Sequence, residues 1–145
     1  MTFVDLADGG RQLAALLSPD VRGDALLVCI GAGGQVTGRA VAEALGAEVV
    51  PVPTARDDSG VRVDLSALQI AGRDVVVIDD GVESGTAAIA AGAAIRGAGA
   101  TRVVLAVPVC PRDAEPALRR EYDDVIAVTK PLERISLHEH YDTFA

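Results

Sequence analysis

The chain alternates short runs of branched apolar residues with stretches in which apolar side chains recur every three or four places. The runs "ALLVCI" (25–30), "AEVVPVP" (47–53), "DVVVIDD" (74–80), "TRVVLAVPV" (101–109) and "DVIAVT" (124–129) read as strands, apolar nearly throughout as strands covered on both faces are. Residues 5–18 place Leu6, Leu13, Leu16 and Leu17 at near-helical spacing, although Gly9 and Gly10 weaken the first turn. Residues 35–46 predict an amphipathic helix closing on Gly46 as its C-cap, 84–98 an alanine-rich helix, and 112–123 a charged surface helix with Pro116 in its first turns. Residues 54–73 break the rhythm: a polar start, a "DDSG" turn and the alternating "VRVDL" predict an excursion or hairpin outside the core. The tail, 130–145, reads as irregular.

Strands that alternate with helices of this length predict an α/β domain, a central and mostly parallel sheet with helices on both faces. We read residues 1–145 as one such domain, with a small hood or flap from about 54–73 and a C-terminal tail from about 130–145. In such sheets ligands bind beyond the carboxyl ends of the strands. The segments after Ile30, Pro53, Asp80 and Val109 therefore share one edge, and the loop "GAGG" (31–34) lies on it.

Composition narrows the picture. Half of the chain is hydrophobic but only 3% is aromatic, so the core must be built from Ala, Val, Leu and Ile. The formal net charge of −8 argues against nucleic acid and acidic membrane surfaces as partners. Cys29 and Cys110 fall in or beside predicted strands and read as small core hydrophobes, without the spacing of a zinc site or a disulfide framework. No secretory signal is visible in "MTFVDLADGGRQ" and no apolar run spans a bilayer, so a cytoplasmic location is expected.

The chemistry concentrates in "DDGVESGTA", residues 79–87. Asp79 and Asp80 end a buried strand at the ligand edge, where adjacent carboxylates accept hydrogen bonds from a vicinal diol or hold Mg²⁺ directly or through water. Gly81 and Gly85 let the backbone turn tightly. The amides of about 83–87 open the next helix and suit a phosphate, with the Ser84 and Thr86 hydroxyls as further donors. The bland alternative makes Ser84 an N-cap and the aspartates solvated strand ends.

The run Val75, Val76, Val77, Ile78, Asp79, Asp80, Gly81, Val82, Glu83, Ser84, Gly85, Thr86, Ala87 resembles the phosphoribosyl pyrophosphate (PRPP) motif of the type I phosphoribosyltransferases: four apolar residues, two acidic ones and a hydroxyl- and glycine-rich turn. The segment "CIGAGGQVTGRAVAEALGAEVV" occupies the place of that family's pyrophosphate-contacting loop, and an uncharacterised branch of the family is the nearest likeness. The resemblance implies that Asp79 and Asp80 hold the ribose hydroxyls and the Mg²⁺ cofactor, that residues 81–87 cradle the 5′-phosphate, and that Gly31, Ala32, Gly33 and Gly34 face pyrophosphate. It also implies a mobile loop at 54–73, where Arg56 and Arg62 are candidates to neutralise the leaving pyrophosphate. A homodimer is expected by the same analogy.

Three positions depart from the family's pattern. Glu83 stands where Thr, Ser or Ala is usual; its carboxylate would either repel a phosphate or point away and cap a helix N-terminus. Ala87 replaces a hydroxyl residue, and Ala32 stands where Arg or Lys often helps to hold pyrophosphate. A dinucleotide reading of "GAGGQVTG" fails at Val36, and a receiver-domain reading of "TKPL" fails because the acidic pair follows the third core strand. His138 and His140 could bind a metal with Glu139 or Asp142, but a surface tail accounts for them more simply. Tyr141 and Phe144 either anchor the tail or stack on a base.

The sequence thus leads to a Mg²⁺-dependent transfer of ribose 5-phosphate from PRPP to a nitrogenous base. The alternative is a non-catalytic module of the same fold that binds a nucleotide or sugar phosphate. A hydrolase or phosphotransferase built on the same pocket is a third, weaker reading.

Overall fold

The computed structural model describes residues 3–17, 21, 24–132 and 136–144. Five strands form one parallel sheet: β1 (Leu26–Ile30), β2 (Val49–Val52), β5 (Asp74–Ile78), β6 (Arg102–Val109) and β7 (Asp124–Thr129), in the order β2-β1-β5-β6-β7. Two further strands, β3 (Thr54–Asp57) and β4 (Gly60–Val63), pair antiparallel as a separate hairpin where the broken rhythm of 54–73 predicts one.

The period of two in the strands sorts the core. Leu27, Cys29, Val76, Ile78, Val104 and Ala106 face helices α1 (Leu6–Leu17) and α2 (Ala32–Leu45). Their neighbours Val28, Val77 and Leu105 face α3 (Thr86–Gly97) and the short α4 (Glu115–Leu118). Both cysteines are buried in the core, where they pack as small side chains. No helix among the described residues is long and apolar enough to cross a membrane.

Gly10, a liability on helix propensity alone, marks the closest approach of α1 to α2. A methyl group there would lie 2.5 Å from the Thr37 carbonyl oxygen and 2.8 Å from Ala40 Cβ. Because one of these is backbone, neither helix can yield by turning a side chain. Gly10→Ala is expected to cost about 2–3 kcal/mol, read as a lower urea midpoint. Gly97→Ala, where nothing lies within 4 Å, should instead stabilise slightly through helix propensity.

Three expectations are corrected. The segment 31–34 is not a loop: α2 begins at Ala32, directly after its N-cap Gly31 at φ 75°. The long helix over 112–123 shrinks to α4, because Asp123 is already tied to the next strand pair. Its amide donates to Val103 O at 2.8 Å, and its carboxylate accepts from Val103 N at 2.8 Å. The tail is less irregular than its sequence: residues Leu137–His140 form a 3₁₀ turn, and Tyr141 bridges to Phe3.

Candidate functional site

The order of the sheet reverses between β1 and β5, and in such sheets a crevice opens at that point beyond the strand ends. The register pairs Cys29 with Ile78, so Asp79 and Asp80 leave β5 beside Gly31 and the start of α2. Val82 N donates to Val109 O at 2.9 Å and pins the turn to the end of β6. Gly85, at φ 86° and ψ −1°, is the N-cap of α3 and makes no side-chain cap; a left-handed residue of this kind favours glycine. The first amides of α3 therefore face out of the helix end. Beside them the Ser84 and Thr86 hydroxyls lie 3.1 Å apart.

These residues enclose about 230 Å³. Its walls are the continuous run from Asp79 to Ala88, together with Leu137 from the tail and Arg56 from the β3–β4 hairpin. Every sequence-predicted residue from Asp79 to Ala87 is present. Of the two hairpin arginines only Arg56 reaches the cavity, while Arg62 is turned to Asp57 at 2.8 Å. Gly31, Ala32, Gly33 and Gly34 do not line it. They cap and begin α2, which packs against the acidic pair from the other side. A methyl at Gly33 would collide with the Asp80 carboxylate, and one at Gly34 would lie 2.9 Å from Asp79 Oδ1. The two glycines are there to admit the carboxylates.

The acidic pair is held in an environment hostile to its charge. Burial, first, and the Asp80 charge, second, push the Asp79 carboxyl well above the usual range. Burial also raises Asp80, and the nearby Glu83 charge adds to it. Asp79 Oδ1 accepts from the Asp80 amide at 2.8 Å. Two such carboxyls titrate as a unit and retain a shared proton more readily than isolated ones. A diol or a cation brought to them would favour their charged form.

Glu83 takes the second of its two sequence options. Its Oε1 accepts from the Leu137 amide at 2.9 Å, at the start of the 3₁₀ turn. The tail is fixed from the other side by Tyr141, whose hydroxyl donates to Asp80 O at 2.6 Å and whose ring lies 5.3 Å from that of Phe3. Phe144 meets Tyr141 edge-on at 5.4 Å and stacks with His138 at 4.1 Å. Tyr141 is thus a tail anchor.

The sequence profile of the family described as "Phosphoribosyl transferase domain" matches residues 5–140. The chain belongs to this family. Within it, a similar curated relative is "Putative phosphoribosyl transferase Rv0571c" of Mycobacterium tuberculosis, 34% identical over 77 residues, a match covering 53% of this chain and 17% of that protein. The chain therefore matches only about a sixth of that relative's length. Among solved structures, TT1426 from Thermus thermophilus is similar over 100% of this chain and 92% of its own, with a TM-score of 0.86 and 24% identity. The adenine phosphoribosyltransferase of Rhodothermus marinus matches 82% of this chain and 77% of its own, at a TM-score of 0.60 and 22% identity. For the hypoxanthine phosphoribosyltransferase of Staphylococcus aureus the coverages are 75% and 65%, the TM-score 0.61 and the identity 15%. At these identities the likeness is one of fold.

Two side chains in the site of this phosphoribosyltransferase-family chain escaped sequence reasoning. Leu137 lies far along the chain from the motif and carries no local signal; Ala88 is one residue beyond the motif's end. His138 and His140 do not form a joint site: His140 is buried, His138 is exposed, and no group of three potential metal-binding side chains occurs among the described residues.

Proposed function

We propose that the protein transfers the ribose 5-phosphate group of PRPP to a nitrogenous base. The observation that carries this reading is the single cavity in which the acidic pair, the glycine-bounded turn and the open first turn of α3 meet Arg56. Asp79 and Asp80 accept hydrogen bonds from the ribose hydroxyls. The amides of 83–87, with Ser84 and Thr86, take the 5′-phosphate, and Arg56 faces the pyrophosphate. A volume of about 230 Å³ is below the roughly 300–1,000 Å³ of whole ligand pockets. The ribose phosphate would occupy it, and pyrophosphate and base would extend over its open sides.

In the reaction the bond from ribose C1′ to the pyrophosphate oxygen breaks, and its electron pair leaves with pyrophosphate. A ring nitrogen of the base forms the new bond to C1′ and releases its proton. The transition state is oxocarbenium-like, so positioning and charge stabilisation supply the rate more than a general base does. Asp79 and Asp80 also fit a hard divalent cation that draws its other oxygen ligands from water and phosphate, as Mg²⁺ commonly does. When bound, Mg²⁺ would offset charge on the pyrophosphate.

A second reading is favoured by one observation: three acidic residues, Asp79, Asp80 and Glu83, line the cavity with one arginine. A non-catalytic module that binds a sugar phosphate would tolerate that balance. Pyrophosphate release from PRPP with Mg²⁺ and a panel of bases separates the two, since the module binds without release.

The arginines give a sharper test. Arg56→Ala is expected to raise the KM for PRPP about tenfold, the loss of one charge-assisted contact, whereas Arg62→Ala should leave it within about twofold because its partner is Asp57. Equal effects from the two would contradict the placement of pyrophosphate beside Arg56.

A further inference from the structure

Glu83 is an odd residue for a phosphate-binding turn, and what it does is set by a partner 54 residues away. Among the described residues no arginine or lysine pairs with its carboxylate; the Leu137 amide does, at 2.9 Å. That amide opens the 3₁₀ turn Leu137–His140, in which the Ser136 hydroxyl accepts from His138 N at 3.3 Å. Ser136 and Glu83 thus divide the exposed donors of the turn between them. The Leu137 side chain meanwhile packs on Gly81, so close that a methyl group there would lie 2.5 Å from Leu137 Cδ2. The bond therefore draws the Glu83 carboxylate toward the tail at the Gly81 end of the turn, not toward the amides at the start of α3.

The segment that supplies this amide is itself held in place. Tyr141 donates to Asp80 O, Phe3 N donates to His140 O at 3.0 Å, and Asp142 N donates to Phe3 O at 2.9 Å. Without the Leu137 amide, Glu83 would have no partner among the described residues, and its carboxylate, one residue before Ser84, would repel a phosphate dianion. We infer that Glu83 is a positioning residue: the Leu137 amide holds its carboxylate away from the anion site, so docking of residues 136–144 and occupancy of the turn by a phosphate favour each other. The coupling is reciprocal. It rests on the proposed phosphate site at residues 83–87.

The test exploits the backbone of Ser136, whose φ of −56° and ψ of 139° are what a residue before proline prefers. Proline is also well tolerated as the first residue of a helical turn. Leu137→Pro removes the N–H; Leu137→Ala removes the side chain and keeps it. The two are compared by calorimetric titration with ribose 5-phosphate, in the wild-type background and with Glu83→Ala. With Glu83 present, the proline variant should bind about tenfold more weakly than the alanine variant. With Glu83→Ala the two should agree within about twofold. Amide exchange provides a readout free of ligand: Glu83→Ala should speed exchange in residues 138–143.

A proline-to-alanine difference that is the same in both backgrounds, or absent from both, overturns the inference and leaves the phosphate site standing. Binding only by proteins that carry Glu83→Ala overturns it too, since the carboxylate would then block the site even when held. Failure of every variant to bind ribose 5-phosphate overturns the phosphate site, and the inference with it.

Discussion

The Asp79→Asn/Asp80→Asn double variant is expected to lose pyrophosphate release from PRPP by at least about a thousandfold and, in the absence of ligand, to melt higher than the wild type above neutral pH. The first effect follows from the removal of both charged acceptors for ribose and Mg²⁺. The second follows from linkage. Both carboxyls have folded-state values raised above their unfolded ones, by burial first in each case. Such groups contribute stability that is complete below the ordinary carboxylate range, near about 3.9, and is lost as pH rises through the raised values. The wild type is therefore penalised far more at pH 8 than at pH 4. Asparagine carries no such penalty, and at position 79 its side-chain oxygen can still accept from residue 80. Thermal melts of both proteins across that range should show a gap that opens with pH. A double variant that melts lower at pH 8, or one that keeps its turnover, would contradict the role given to the pair.

The glycines that open α2 are expected to separate activity from stability. The atoms nearest a methyl at Gly33 all belong to the side chain of Asp80, with Cγ at 2.8 Å and Cβ at 3.2 Å, and its carboxylate can turn aside. Gly33→Ala should thus hold its melting temperature near that of the wild type, helped by helix propensity. It should lose about a hundredfold in pyrophosphate release because the carboxylate is displaced. A methyl at Gly34 meets backbone as well, 3.3 Å from Asp79 Cα and 3.4 Å from Ile78 O. There the strand end itself must shift, and Gly34→Ala should cost about 1–3 kcal/mol in stability. Melting curves and turnover on the two variants decide the matter. A fully active Gly33→Ala protein would show that Asp80 need not stay where it is.

These residues also show how far the sequence could be read. The strand through Ile78, the carboxylates at its end and the helix after Gly85 were legible because each is a local signal: an apolar run, an acidic pair, a glycine that can take positive φ. The parallel sheet followed from the alternation of such signals, and the hairpin from its turn. The "GAGG" segment misled because glycine usually marks a loop. Here it marks the approach of a helix to two carboxylates, Asp79 and Asp80, far later in the chain, which only the fold can reveal. The helix over 112–123 was overestimated for a related reason. Its charge pattern is helical, but Asp123 is claimed by Val103, and Tyr122 is buried with its hydroxyl donating to Ala88 O at 2.6 Å. Of the two arginines in the hairpin, composition could not choose; the Arg62–Asp57 pair does. Glu83 was legible as an anomaly, but its partner was not, because a backbone amide leaves no trace in the residue type that carries it.

The most direct test of the central claim is a calorimetric titration of PRPP with Mg²⁺ into the wild-type protein, repeated on the Asp79→Asn/Asp80→Asn variant. The site described here predicts saturable binding by the wild type, between about 1 μM and 1 mM, and its loss in the variant. A folded wild-type protein that takes up no PRPP, or a variant that binds it equally well, would contradict the assignment of the acidic pair and its turn to ribose 5-phosphate.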